Sequence, residues 1–108
     1  MNLQIAWDDR AGLTASVSGP LQPLGWYLSQ DVQADAGFTA KMLSICEKLI
    51  NDGGEWTGSG NAHLVEIKDS RVRIQNLYVE DEGACEMGLQ EFYEALKAWL
   101  AAIRSRGL

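Results

Sequence analysis

Residues 62–79 constrain the fold more than any other stretch of this chain. Val65, Ile67, Val72 and Ile74 alternate with Glu66, Lys68, Arg71 and Arg73 on the two sides of Asp69-Ser70. A period of two is that of a strand with one buried face, and a two-residue polar break between two such runs is a hairpin. With Asp69-Ser70 as the loop, Ile67 faces Val72, Val65 faces Ile74 and His63 faces Asn76, while Glu66 faces Arg73 on the opposite side. Burying the four aliphatic side chains, at about 1.5 kcal/mol or more each, decides which face meets the rest of the chain. That face needs a cover.

Two helical patterns can supply it. From Asp35 as N-cap, the apolar residues Phe38, Met42, Ile45, Cys46, Leu49 and Ile50 fall on one stripe, with Lys41, Glu47 and Lys48 off it and Gly53-Gly54 as a stop. A second helix starts at Gly88 as N-cap, with Glu91 placed to reach back to the cap N–H and Met87 and Phe92 spaced as a staple. Its stripe is Leu89, Phe92, Tyr93, Leu96, Trp99, Leu100 and Ile103, and Arg104 and Arg106 suit its negative end before Gly107.

Upstream, Leu3, Ile5 and Trp7 and then Leu13, Ala15 and Val17 alternate around an Asp8-Asp9-Arg10-Ala11-Gly12 turn, a further hairpin that Gly19-Pro20 and Pro23 terminate. Residues 24–28 read as a short strand, with Trp26 and Tyr27 on opposite faces, one entering the core and the other exposed as an interface anchor. The glycines of residues 56–61 are expected to allow a tight bend. They do not form a phosphate loop, because a helix pattern precedes them and a strand follows, the reverse of what such loops need. The expected architecture is α+β, one domain over residues 1–108: an antiparallel sheet of four to five strands in the order β-β-(β)-α-β-β-α, with two helices packed on one face.

The charge is unevenly placed. Residues 80–94 hold Glu80, Asp81, Glu82, Glu86, Glu91 and Glu94 and no base, so the remaining nine of fifteen acids balance nine bases and this stretch carries the whole net charge of -6. Nucleic acid and anionic membrane surfaces would repel a chain of pI 4.6. A basic protein is the better partner, since a local field of one sign speeds its approach. Glu91 is assigned to capping and Glu94 to the helix surface. That leaves Glu80, Asp81, Glu82 and Glu86, on the loop expected between the last strand and the last helix, as the candidate partner-binding plug, with Trp26 and Tyr27 as candidate anchors.

Catalysis has little to work with. His63 is the only histidine, Cys46 sits on a core stripe, and no spacing argument brings Cys85 to His63. No paired Cys or His has the spacing of a zinc site, and residues 80–91 match a calcium loop poorly. No enzyme activity, cofactor or metal is expected. Two cysteines are too few for a disulfide framework, and the acids at Asp8-Asp9 directly after a short apolar run are unlike a signal peptide, so the expectation is a cytoplasmic protein.

Gly25-Trp26-Tyr27, the amphipathic helix to Leu49, Trp56 with Gly58-Ser59-Gly60-Asn61, the hairpin from Val65 to Ile74 with Asn76, and Leu89-Gln90-Glu91-Phe92 occur in an order that resembles the YacL family of small acidic bacterial proteins. The same order resembles immunity proteins of contact-dependent growth inhibition systems, and the likeness runs from about residue 24 to the end. It implies a cytoplasmic protein that binds and blocks the C-terminal toxin domain of a sister exoprotein, often a nuclease. Carboxylates filling a basic cleft would then stand in for phosphates. The other implication is a free-standing YacL-like regulator or adaptor with no toxin, which an isolated gene would favour.

Overall fold

The computed structural model describes residues 1–79 and 83–108. The fold is α+β. Strands β1 (Leu3–Asp8) and β2 (Gly12–Val17) form a two-stranded sheet. A single 3-10 turn, Gly19–Leu21, leads into helix α1 (Gln22–Tyr27), which runs on as a π-helical segment, Leu28–Val32, before helix α2 (Ala36–Asp52). Strands β3 (Trp56–Ser59), β4 (His63–Lys68), β5 (Arg71–Asn76) and β6 (Ala84–Gly88) make an antiparallel sheet in sequence order, and helix α3 (Leu89–Ser105) completes the chain.

The central hairpin forms in the expected register, with Ile67 opposite Val72, Val65 opposite Ile74, Glu66 opposite Arg73 and His63 opposite Asn76. Val65, Ile67, Val72, Ile74, Cys85 and Met87 point into the core, whereas Glu66, Arg73 and Glu86 are exposed, so one face of the four-stranded sheet is covered and the other is open. Helices α1 and α3 contact β5 and β6 on the covered side, and α2 lies along α3. The turn places Asp69 at φ 52° and Ser70 at φ 61°. Two left-handed residues in succession are the mark of a type I′ turn, which matches strand twist but strains side-chain-bearing residues. Ser70→Gly is therefore expected to raise stability by about 0.5–1 kcal/mol, a gain of roughly 2–6 °C in Tm. A fall in the thermal midpoint would contradict this turn geometry.

Three expectations need correction. Residues 24–28 are helical, not a strand. Pro23 sits in the first turn, where its missing N–H costs nothing, and Leu24, Tyr27, Leu28 and Val32 are all buried at helical spacing. A Cβ at Gly25 would come 2.9 Å from the Ala15 carbonyl oxygen, so glycine lets α1 lie against β2. There the Ser29 hydroxyl accepts from Ala15 N–H at 2.8 Å and donates to Gly25 C=O at 2.9 Å, satisfying an edge-strand donor that no neighbouring strand reaches. Second, residues 56–59 extend the sheet as β3, and the expected tight bend is confined to residues 60–62, where the chain reverses from β3 into β4 and Gly60 N–H donates to His63 C=O at 2.9 Å. Third, the segment between the central hairpin and α3 contains a strand, β6, so the four-stranded sheet is built downstream of α2 and the N-terminal hairpin stays separate.

The two long helices start as anticipated. Asp35 accepts from Phe38 N–H at 2.9 Å, and Glu91 accepts from Gly88 N–H at 3.3 Å. The buried stripe of α2 is Thr39, Met42, Leu43, Cys46 and Leu49, rotated from the expected one, with Phe38 and Ile50 left on its exposed margin. On α3, Tyr93 is half-buried and donates its hydroxyl to Glu47 at 3.1 Å, tying the helices together.

Candidate functional site

The most unusual chemistry in the interior is a buried acid facing the single histidine. Asp31 comes from the π-helical segment and His63 from the start of β4. The His63 Nδ1 and Asp31 Oδ1 are 2.9 Å apart, and the two side chains are 1 % exposed or less. Asp31 Oδ2 also accepts from Ala62 N–H at 3.1 Å and His63 N–H at 2.9 Å. A Cβ at Gly60 would collide with this carboxylate, which explains a glycine at that position better than backbone freedom does. Beside it, Gly60 N–H donates to His63 C=O at 2.9 Å and the Asn61 amide donates to Gln30 C=O at 3.1 Å. The acid thus fastens the π-helical segment to the front of the sheet. On the other side of the imidazole, Tyr27 meets it edge-on at 6.3 Å. Burial, and then the Asp31 charge, push the Tyr27 hydroxyl well above the ordinary tyrosine range.

A carboxylate that orients Nδ1 of a histidine is the arrangement that prepares Nε2 for proton transfer or metal ligation. Here Nε2 is buried and meets no hydrogen-bond partner among the described residues. No group of three or more His, Cys, Asp or Glu among them is placed to hold a metal ion. Neither thiol is primed to act as a nucleophile. Burial pushes Cys46 up to about 12 and Cys85 up to about 11, so both stay protonated at neutral pH. The pair's geometry supports a fastening role.

The residues singled out from the sequence are dispersed. Glu80, Asp81 and Glu82 lie outside the described residues. Glu86 is exposed on β6 and not on a loop; Arg73 stands opposite it across the strands, and Glu66 stands on the far side of Arg73. That neighbouring cation offsets part of its charge. Tyr27 is only 2 % exposed, packed in the core against Phe92, so it is unavailable as a contact on this surface. Trp26 is half-buried, off the inward stripe of α1. Asp31 is not among the residues singled out above, although the sequence carries its signal: it is the single acid in the helical series Leu24, Tyr27, Leu28, Asp31, Val32. An acid on an apolar stripe needs a buried donor.

The turn that leaves β5 is a second feature outside the residues singled out from the sequence. Asn76 Oδ1 accepts from Tyr78 N–H and Val79 N–H, each at 2.8 Å, and Leu77 N–H donates to Ala62 C=O at 2.8 Å. These bonds display Leu77, Tyr78 and Val79 at 43 %, 76 % and 44 % exposure. At the foot of the turn is a groove of about 240 Å³ lined by Arg73, Gln75, Asn76, Gly83 and Ala84. No protein-family model, curated protein or solved structure matches the chain. Among the described residues, no helix is long and apolar enough to cross a membrane.

Proposed function

We propose that this chain is an immunity protein. It binds the C-terminal toxin domain, of nuclease type, of a contact-dependent growth inhibition exoprotein and neutralises it in the cytoplasm by covering its basic cleft. The observation that carries this reading is the charge pattern: between Arg73 and Lys97 the chain holds six acids and no base. Of these, Glu86, Glu91 and Glu94 are exposed in the folded chain. A concentrated negative field suits stoichiometric occupation of a phosphate-binding cleft and requires no reaction. The resemblance to immunity proteins supplies the biological setting, and Glu80, Asp81 and Glu82 carry the densest charge.

The test is binding to the domain encoded immediately upstream of this gene. The two proteins should co-purify, and the E80K/D81K/E82K triple reversal should slow association by about 10-fold or more at low salt while flattening the salt dependence. Tight binding with unchanged salt dependence after that reversal would remove the acidic mechanism. Absence of any wild-type complex would remove the immunity reading itself.

A further inference from the structure

We infer that Leu77, Tyr78 and Val79 form a pre-ordered apolar prong, with Tyr78 as its anchor, that inserts into an apolar pocket edged by lysine and arginine on a partner protein. The inference rests on the immunity reading for the identity of that partner and adds the contact that would hold it. Three successive large apolar side chains at 43 %, 76 % and 44 % exposure are costly to leave in water, and nothing in the local backbone demands them. A turn built only to join two strands would use polar residues and glycine.

The prong is held from beneath. Asn76 receives both the Tyr78 and the Val79 N–H, and Leu77 N–H is bonded to Ala62 C=O. Ala62 N–H is bonded in turn to the buried Asp31 carboxylate, and Asn76 stands in register opposite His63. The Asp31–His63 fastening is therefore the footing of the turn. A contact segment fixed before binding loses little conformational entropy on association, and an aromatic with a polar tip is a residue type that dominates binding energy. Charge selects the occupant. The prong lies near the start of the base-free run from Ile74 to Leu96, and the next three residues in sequence after it are Glu80, Asp81 and Glu82. Three acids within four positions of Tyr78 in sequence favour a basic rim around the pocket that accepts it and disfavour an acidic one.

Two kinds of contact are thereby separated, and they fail differently. Tyr78→Ala should leave the far-UV circular dichroism and thermal midpoint as in the wild type, because the side chain is exposed. It should raise Kd for the upstream-encoded toxin domain by about 30-fold or more, mainly through faster dissociation, with the slope of log Kd against log salt unchanged. Tyr78→Phe should recover most of that affinity. Asn76→Ala, which frees the turn without touching the prong's side chains, should weaken binding by a smaller factor. If Tyr78→Ala binds within about threefold of wild type, the prong is wrong while the immunity reading stands. If the wild-type chain forms no complex with that domain, both fall.

Discussion

Asp31→Ala is expected to destabilise the fold by about 3–5 kcal/mol, the largest effect of a polar substitution among the described residues. The carboxylate serves three donors, the N–H groups of Ala62 and His63 and the His63 ring, inside a site from which its side chain is 99 % removed from water, given 1 % exposure. Alanine leaves all three without an acceptor in a place water does not readily enter. Asp31→Asn should fall between, because its amide oxygen can still accept while its NH₂ is directed at another donor. Urea unfolding of D31A, H63A and the double variant gives a cycle, and a coupling energy of at least about 1.5 kcal/mol is expected for a buried pair in direct contact. Amide exchange at Leu77 provides a second readout: D31A should lose protection there, since the Leu77 N–H hangs on Ala62. A D31A variant within 1 kcal/mol of wild type, with Leu77 still protected, would show that the acid is not the fastening described.

Trp99→Ala is the second large effect, at about 3–5 kcal/mol. Trp99 is completely buried and is the largest side chain in the core. Its indole N–H donates to Gln33 C=O at 2.7 Å. Gln33 ends the π-helical segment at φ 59° and ψ -164°, a conformation that glycine tolerates and glutamine resists. Its own N–H bonds back to Leu28 C=O at 2.8 Å. The indole therefore fills volume and also holds a strained reversal of the chain between α1 and α2. Trp99→Phe separates the roles. It keeps most of the ring and removes the N–H, and should cost about 1–2 kcal/mol. Denaturant unfolding followed by circular dichroism reads both variants, since the three other tryptophans, Trp7, Trp26 and Trp56, confuse a fluorescence signal. Equal losses for Trp99→Ala and Trp99→Phe would mean that the hydrogen bond, and not the packing, carries the energy.

The legible and illegible parts of the fold divide by distance along the chain. The central hairpin register, the Asp35 cap and the Gly88–Glu91 start of α3 are all legible in the sequence, because each is decided by local residues. Strand β6 was hidden: Ala84 to Gly88 is a short run of mixed character among acids, and it is a strand because β5 offers it an open edge. The helix at Gln22–Tyr27 is not legible in residues 24–28 alone, a stretch too short to separate a period of 2 from one of 3.6, whereas Leu28 and Val32 extend the series decisively.

The candidate surface was legible only as charge. The order of residues placed the negative charge between Arg73 and Lys97, because net charge adds residue by residue whatever the fold. Only the tertiary structure put Tyr27 in the core and Glu86 opposite Arg73, and only it joined Asp31 to His63 across 32 positions and stood Tyr78 outward on the turn behind them. Those outcomes depend on which segments meet in space. A local pattern can state that an acid must find a donor, but the packing of the π-helical segment against the start of β4 decides which donor it finds.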